Sequence, residues 1–288
     1  MPELPEVETI ARKLRNTIVG KRVSAVFLSG KPLRSPVPGN FASALTDRTV
    51  QRVHRMGKYL ILEMEPKAFW LIHLGMSGRL FYFSGAAERP VHTHAVIQFE
   101  DGGELQYRDP RRFGLLDIQE APTLSALSRL QRLGKDPLGA GFDAGWLWPQ
   151  LLQTRRDLKA FLLDQNRIAG VGNIYACESL FRACLHPSRR CNTVSRKEAG
   201  ALARAVRHVL RHAVDHRGTT FSDFMDSDGE PGEHQDFLHV FQREGEKCHR
   251  CRAKIQRLRQ GNRSTYFCPR CQNRAPGRMI KKGRSRDS

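Results

Sequence analysis

Apolar residues at helical spacing lie near the start of the chain. They recur three or four positions apart, at Val7, Ile10, Leu14 and Ile18. Residues at this spacing share one face of an amphipathic helix. Pro5 suits the first turn of such a helix, and Gly20 suits its C-terminal end. The pattern therefore predicts a helix over residues 5–19.

Short apolar runs, separated by Gly, Pro and polar clusters, follow this helix. They cover residues 23–29, 59–64, 69–73, 80–83, 95–99, 104–108 and 114–118. Their number and close spacing favour an antiparallel sandwich or barrel over alternating βαβ units. The sequence therefore predicts an antiparallel β-sheet domain behind the long N-terminal helix.

From about residue 123 the apolar positions take helical spacing. The predicted helices span residues 124–133, 145–153, 157–164, 174–183 and 195–215. Strands followed by helices indicate the α+β class with two domains. The predicted parts are an N-terminal domain (1–134), a linker (135–146), a helical domain (147–240), a cysteine-bearing module (241–274) and a basic, disordered tail (275–288).

The charge of the chain indicates a polyanionic partner. Lys plus Arg number 48 against 29 Asp plus Glu, which gives a formal net charge of +19. Such an excess causes self-repulsion unless a polyanion offsets it, and nucleic acid is the leading candidate. Because 40% of the residues are hydrophobic, the chain can bury real cores, which excludes a wholly disordered protein.

The sequence shows no membrane or secretion signal. No segment reaches the ~18 consecutive apolar residues of a membrane span. Glu3, Glu6 and Glu8 stand where a secretory signal needs a basic start and an apolar centre. We therefore expect a soluble, cytoplasmic protein without a membrane partner.

Four of the seven cysteines form the motif Cys248-x2-Cys251-x16-Cys268-x2-Cys271. Two Cys-x2-Cys turns at the ends of a β-hairpin complete a tetrahedral zinc site. Because protein fills all four positions, the predicted zinc is structural. The alternative is a disulfide pair or a redox role. Arg263 is one of several basic residues between the turns, so the hairpin is suited to enter a groove of nucleic acid.

The start of the chain offers an amine and two carboxylates. Removal of the initiator methionine frees the secondary amine of Pro2, whose ordinary pKa is about 8. Such an amine attacks an aldehyde-level carbon and forms an iminium. Glu3 and Glu6 lie beside it, where one carboxyl can donate a proton and the other can stabilise a cation. The alternative is that both carboxylates only cap the helix.

A series of motifs runs along the chain in a characteristic order. They are Met1-Pro-Glu-Leu-Pro-Glu-Val-Glu-Thr9, Lys58-Tyr-Leu60, His73-Leu-Gly-Met-Ser-Gly78, Asp109-Pro-Arg-Arg-Phe-Gly114, Gly170-Val-Gly-Asn-Ile-Tyr-Ala176, Glu178-Ser-Leu-Phe181 and the cysteine motif. Together they resemble bacterial formamidopyrimidine-DNA glycosylase, the 8-oxoguanine repair enzyme. The sister endonuclease VIII group usually opens Pro-Glu-Gly-Pro-Glu, so Leu4 favours the oxidised-purine branch.

The resemblance implies which residues are catalytic. In the family, the N-terminal proline attacks the sugar C1′ of the damaged nucleotide and expels the base, and two eliminations then cut the strand. Pro2 matches this nucleophile, Glu3 the acid that protonates the sugar ring oxygen, and Glu6 a supporting carboxylate. Lys58 matches a lysine that contacts phosphate close to the lesion. One structural zinc ion is implied, and no catalytic metal or organic cofactor.

The resemblance also implies which residues replace the everted base. Met76, Arg111 and Phe113 match the three that fill the space it leaves. Met and Phe act as apolar wedges, and Arg hydrogen-bonds the orphaned opposite base. Without the resemblance, Met76 and Phe113 would be assigned to the hydrophobic core.

Further matches concern phosphate contacts and the active-site surroundings. Arg112 would face a phosphate, with His92 and His94 as weaker candidates. Residues 170–187 resemble a helix–two-turn–helix element in which Asn173 donates to a phosphate. The remaining matches are Arg263, a zinc-finger arginine that grips phosphates, and Lys159 and Glu178, which match residues near the active site.

As a whole, the resemblance implies a bifunctional DNA glycosylase and abasic-site lyase that acts as a monomer on double-stranded DNA, in the nucleoid. Its fold would be a β-sandwich with a long helix, then a helix–two-turn–helix domain with a zinc-finger hairpin. Two alternatives stay open: the same chemistry on oxidised pyrimidines, and a non-catalytic zinc-ribbon protein that binds DNA. Residues 217–235 match a mobile loop over the base, but 232–236 depart from its common sequence, which leaves lesion preference open.

Overall fold

The computed structural model describes residues 2–220 and 224–273. The chain forms two compact units, each built from two stretches of sequence. The first unit joins Met1–Leu133 to Arg211–Phe237, and the second joins Gly134–Leu210 to Leu238–Ser288. The tail predicted to be disordered, residues 275–288, lies outside the described residues.

Helix α1, Leu4–Thr17, begins the first unit and confirms the helix predicted from the apolar spacing. Glu3 is its N-cap, and Glu3 and Glu6 form a reciprocal capping box. The helix ends where the Ile18 N–H donates to the Leu14 carbonyl oxygen. The buried face of α1 includes Leu4, Val7, Ile10 and Leu14.

Antiparallel strands form two four-stranded sheets in the first unit. The strands are β1 (Val23–Leu28), β2 (Thr49–Met56), β3 (Tyr59–Glu65), β4 (Ala68–His73), β5 (Arg79–Phe83), β6 (Thr93–Phe99), β7 (Glu104–Arg108) and β8 (Leu115–Gln119). One sheet has the order β1-β6-β7-β5, and the other has the order β2-β3-β4-β8. Each neighbouring pair runs antiparallel, which confirms the predicted sandwich.

Strand β2 is missing from the elements predicted from the sequence. Its buried side chains are Val50 and Val53, three positions apart, so the alternation typical of a strand is lost. The pairing with β3 shifts register between Val50 and Arg52. This irregularity, which resembles a β-bulge, lets both valines face the core.

Helix α1 and both sheets share one hydrophobic core. Trp70, on β4, is 1% exposed, and its ring packs edge-on against Phe41 with 5.7 Å between the ring centroids. Because α1 is packed into this core along its length, its first residues are held in one position. The predicted catalytic residues lie at that end of the helix.

Residues 124–133 do not form the predicted helix. Leu124–Ala126 is a single 3-10 turn, and the N–H groups of Leu127, Leu130 and Leu133 then each donate to the carbonyl three residues earlier. A repeat of three residues suits such turns better than an α-helix of 3.6 residues per turn. Leucines of this stretch cover the face of β3 and β4 that carries Ile61, Phe69 and Leu71.

The second unit holds helices and a β-hairpin. They are α2 (Ala144–Leu152), α3 (Leu158–Leu162), α4 (Asn173–Arg182), the greater part of α5 (Arg196–Asp215), and the paired strands β9 (Gln256–Gln260) and β10 (Arg263–Phe267). These helices confirm the ones predicted between residues 145 and 215. None of the helices in the described ranges is long and apolar enough to cross a membrane.

Arg211–Phe237 belongs with the first unit although it follows the helical part of the sequence. The Thr219 N–H, for example, donates to Glu6 Oε1 at 2.8 Å. The predicted helical domain, residues 147–240, includes this segment because the helical pattern of α5 runs into it. The contacts of the segment connect the start of the chain to a stretch near its end.

Leu14→Ala should lower the free energy of unfolding by about 2–5 kcal/mol, the usual cost of truncating a buried leucine. Leu14 is 0% exposed in the core of the first unit. Urea denaturation followed by circular dichroism measures the change. The control Val19→Ala alters a side chain that is 44% exposed and should cost less than about 0.5 kcal/mol. Equal losses in the two variants would contradict this packing.

Candidate functional site

Three predicted catalytic residues meet at the start of α1. Pro2 is buried, and Glu3 and Glu6 are 2% and 1% exposed. Glu6 Oε2 accepts the Glu3 N–H at 2.7 Å, and Glu6 Oε1 accepts the Thr219 N–H at 2.8 Å. The positive end of the helix dipole stabilises carboxylates at this terminus. The structure therefore brings the three residues together and also shows the capping that the sequence offered as the alternative.

Lys58 stands at the turn between β2 and β3. It is 7% exposed, and its positive charge acts on His73 at the end of β4. Tyr59, the next residue, packs its ring against His73 with 5.0 Å between the centroids. The positive charge of Lys58 is suited to bind an anion such as a phosphate group.

His73 lies close to predicted site residues but was not among those predicted from the sequence. Burial, together with the positive charges of Lys58 and Arg34, lowers the pKa of His73 from 6.5 to about 4. Its Nδ1 accepts the Gly75 N–H at 3.0 Å, so the neutral ring carries its proton on Nε2 as a donor. The signal that could have identified it is its place in the motif that contains Met76.

Met76, Arg111 and Phe113 form an exposed patch on two neighbouring loops. Met76 is 39% exposed and Phe113 is 45% exposed. The Arg111 guanidinium lies over the Phe113 ring, 4.7 Å from its centroid. The loops touch, because a Cβ added at Gly75 would lie 2.4 Å from the Phe113 carbonyl carbon. The structure brings these three predicted residues together at the surface and not in the core.

His92, His94 and Arg112 lie around the same loops. Arg112 is exposed and has a left-handed backbone, with φ +56°. The exposed His92 accepts the Asp109 N–H at its carbonyl oxygen, at 3.0 Å. The ring nitrogens of the buried His94 contact Ser29 Oγ at 3.0 Å and the Asp109 carbonyl at 3.1 Å. Burial lowers the pKa of His94. Its two ring nitrogens contact Ser29 and Asp109, so this histidine connects two segments of the first unit.

In the second unit, Lys159 and Asn173 hold strand β10. The amine of Lys159, on α3, donates to the Ser264 carbonyl at 3.1 Å and to the Thr265 hydroxyl. The amide of Asn173, at the start of α4, donates to the same carbonyl at 3.0 Å. Arg263 begins this strand and is exposed. The two donors therefore support the strand that presents Arg263, a role that the sequence did not predict.

Glu178, on α4, anchors the segment that leads into the cysteine module. It is 2% exposed, and its carboxylate accepts three backbone N–H groups at 2.8–2.9 Å. The donors are His239, Val240 and Phe241. Burial raises the pKa of Glu178, although these donors act in the opposite direction. The side chain thus joins α4, through charge-assisted bonds, to a segment that lies 61 to 63 positions later in the sequence.

The four motif cysteines form a metal site. Their sulfur atoms all lie within 4.8 Å of one another, with 3.9 Å between Cys248 and Cys271 and 3.4 Å between Cys251 and Cys268. Tetrahedral zinc with bonds of about 2.3 Å places its thiolate sulfurs about 3.8 Å apart. The residues fit zinc, and protein supplies all four ligands. The predicted structural zinc site is therefore confirmed.

Three segments of the chain match known protein families. Residues 1–116 match the formamidopyrimidine-DNA glycosylase N-terminal domain, and residues 133–225 match the formamidopyrimidine-DNA glycosylase H2TH domain. Residues 245–274 match the zinc finger found in FPG and IleRS. The three matches follow one another along the chain and together cover most of it.

Individual relatives are similar along nearly the whole chain. The formamidopyrimidine-DNA glycosylase of Pelotomaculum thermopropionicum is 39% identical over 94% of this chain and 99% of its own. The crystal structure of the MutM (FPG) protein from Thermus thermophilus is 38% identical, with a TM-score of 0.85, over 96% of this chain and 100% of its own. The structure of Lactococcus lactis Fpg in complex with DNA containing an abasic site is 31% identical, with a TM-score of 0.86. The match covers 94% of this chain and 99% of the Lactococcus lactis chain.

Cys248→Ser should remove most of the bound zinc and unfold the β9–β10 hairpin, because metal binding supplies the folding energy of such a small module. Mass spectrometry measures the zinc content, and trypsin cleavage at Arg257 and Arg259 reports the order of the hairpin. The control Cys184→Ser changes an exposed cysteine outside the cluster and should keep its zinc. A Cys248→Ser protein that retains zinc and resists trypsin would disprove the assignment.

The stability of the first unit should fall at mildly acid pH because of His73. Since its pKa is lower in the folded protein, about 4 against 6.5, the unfolded chain binds more protons in this window. His73 should therefore contribute about 2 kcal/mol of stability at pH 7 that is lost by pH 5. Urea denaturation at both pH values should show a smaller loss for His73→Asn, whose Oδ1 can still accept the Gly75 N–H. The same loss in both proteins would contradict the role of His73.

Proposed function

The chain belongs to the formamidopyrimidine-DNA glycosylase family, and on that basis we propose that it is a bifunctional DNA glycosylase and abasic-site lyase of base excision repair. Similarity to these enzymes along nearly the whole chain is the observation that carries the proposal. The substrate is double-stranded DNA that contains oxidised purines, such as 8-oxoguanine and formamidopyrimidines, or abasic sites. Base release and strand cleavage take place at Pro2.

Pro2 acts as the nucleophile once Met1 is removed. An α-amine has an ordinary pKa of about 8, so part of it is unprotonated at neutral pH. Its nitrogen forms a bond to the sugar C1′ while the bond from C1′ to the damaged base breaks, and the departing base takes up a proton. The nitrogen then gives up its own proton as the bond from C1′ to the ring oxygen breaks, and an iminium results. The position of Pro2 next to the buried carboxyl groups of Glu3 and Glu6 supports this role.

Glu3 and Glu6 divide the acid and supporting roles. Glu3 gives a proton to the sugar ring oxygen, and the ring opens. Glu6 positions Glu3, since its oxygens already accept backbone N–H groups and one of these is the Glu3 N–H. Loss of the C2′ proton then expels the 3′ phosphate, and a second elimination expels the 5′ phosphate. The strand is cut on both sides of the sugar.

Met76, Arg111 and Phe113 occupy the duplex where the damaged base has left it. The exposure of Met76 and Phe113 and the contact of Arg111 with the Phe113 ring support this role, because exposed large apolar side chains are stabilised when a partner covers them. Arg111 offers hydrogen-bond donors to the orphaned opposite base. The patch thus combines two apolar side chains that separate bases with one arginine that hydrogen-bonds a base.

Each unit contains residues that we propose to contact phosphate. In the first unit they come from Lys58, Arg112 and His92. In the second unit Arg263 contacts phosphate, while Lys159 and Asn173 hold the strand that presents it. Contacts of this kind fix the register of the protein on DNA but carry no sequence information.

A cytoplasmic location on the nucleoid belongs to the same proposal, because duplex DNA is the substrate. The pyrimidine alternative differs only in the damaged base that is released. A non-catalytic DNA-binding protein would form no covalent adduct with DNA. Trapping of the iminium by borohydride therefore separates all three functions.

Pro2→Gly should lower borohydride trapping on an 8-oxoguanine duplex at least about tenfold, because a mobile primary amine replaces the ring-held secondary amine. Gel electrophoresis measures the trapped adduct, after mass spectrometry has shown that Met1 is absent. Pro5→Ala is the matched control, since it changes a second buried proline of the N-terminus and leaves the amine intact.

Trapping by Pro2→Gly at the rate of the unaltered protein would refute the assignment of the nucleophile. The unaltered protein is also compared on duplexes with thymine glycol. Faster trapping there than on 8-oxoguanine would favour the pyrimidine alternative. No trapping on either duplex would leave only the DNA-binding alternative.

A further inference from the structure

One buried carboxylate ties together the two loops that carry the exposed patch. Asp109 is 0% exposed. Its Oδ1 accepts the Ser77 hydroxyl at 2.6 Å, and its Oδ2 accepts the Gly114 N–H at 2.8 Å and the Tyr107 hydroxyl at 3.1 Å. Ser77 follows Met76 in one loop, and Gly114 ends the other loop. The side chain of Asp109 therefore bonds to both loops at once.

Ser77 extends this connection to Arg111. Its hydroxyl oxygen accepts the Arg111 N–H at 3.2 Å while its hydrogen goes to Asp109. The backbone of Asp109 is held as well, because its N–H donates to the His92 carbonyl at 3.0 Å and its carbonyl contacts His94 Nε2 at 3.1 Å. A satisfied buried network of this kind specifies one arrangement of the loops.

Close packing leaves the two loops no room to shift. A Cβ added at Gly75 would lie 2.4 Å from the Phe113 carbonyl carbon, and one at Gly114 would lie 1.7 Å from the Tyr107 hydroxyl. These distances are far inside van der Waals contact, so glycine is required at both positions. Burial and the nearby carboxylate raise the pKa of Tyr107, which keeps its hydroxyl protonated as a donor.

We propose that Asp109 is a positioning residue that holds Met76 at a fixed distance from the Arg111–Phe113 pair, so that the three side chains enter the duplex as one wedge. The inference rests on the proposed glycosylase function. Opening a base step is costly, and a wedge that is ordered only during insertion adds the loss of loop entropy to that cost. Order provided in advance by Asp109 removes this second cost.

Asp109→Asn tests the proposal, because the amide keeps the size of the side chain but replaces one acceptor oxygen by a donor. Excision of 8-oxoguanine from a duplex, measured in single turnover, should slow roughly 10- to 100-fold. Borohydride trapping on a single-stranded oligonucleotide with an abasic site needs the Pro2 amine but no extrusion of a base. It should change by less than about twofold.

Asp117→Asn is the matched control. Asp117 is a carboxylate on β8 that is 9% exposed and accepts Arg129 and Gln119, outside the two loops. This variant should leave both rates within about twofold of the unaltered protein. Ser77→Ala breaks only the connection to the Met76 loop and should slow duplex excision by a smaller factor than Asp109→Asn. In the double variant the two losses should add incompletely, because the side chains share one hydrogen bond.

Equal losses of duplex excision and of single-strand trapping would show that Asp109 serves the fold in general, and would overturn the proposal. Unchanged duplex excision by Asp109→Asn would also overturn it. If Asp109→Asn does not fold, the same two rates for Ser77→Ala decide the question. An unaltered protein that traps neither substrate would refute the proposed function instead, so the two failures are distinguishable.

Discussion

The placement of the first residues of the chain depends on how the buried carboxylate of Glu6 is satisfied. At 1% exposure this group has lost its water, and leaving its oxygens unpaired would be strongly destabilising. One oxygen accepts the N–H of Glu3, and the other accepts the N–H of Thr219, 213 positions away. A segment near the end of the chain therefore helps to fix its first residues, and the geometry around Pro2 exists only once both stretches of the first unit have come together.

A buried carboxylate that accepts several hydrogen bonds also occurs at two other places. Asp109 holds the two loops of the exposed patch, and Glu178 holds the segment that enters the zinc module. In each case a buried acidic side chain accepts at least one backbone N–H, and Asp109 also accepts the hydroxyls of Ser77 and Tyr107. Charge-assisted bonds of this kind are about twice as strong as neutral ones. Where the donor belongs to the backbone, such a contact fixes the path of a loop and leaves the side chain of the donor residue available for a ligand.

How much of this could be predicted from the sequence depends on the separation of the partners. The helix α1 and the zinc cysteines are local patterns, so periodicity and spacing identify them. Strand β2 and the turns of residues 124–133 were missed because an irregularity and a three-residue repeat disturb those patterns. The roles of Asp109 and Glu178 were missed for a different reason. Ser77 lies 32 positions from Asp109, and the donors to Glu178 lie 61 to 63 positions from it. No periodicity reports a contact at such a separation.

Net charge and the exposed patch make different contributions in this protein. A charge of +19 attracts any stretch of DNA, and that attraction is the same at damaged and at intact base pairs. Discrimination needs a step whose cost differs between them, and extrusion of a base is such a step, because damaged bases leave the stack more easily. If the loops had to be ordered during insertion, the same loss of loop entropy would be added at every base pair. It would slow the search for damaged bases without improving the discrimination between damaged and intact ones. Under the proposed function, the fixed placement of Met76 beside Arg111 and Phe113 therefore speeds the search, while the choice of nucleotide depends on how easily its base leaves the stack.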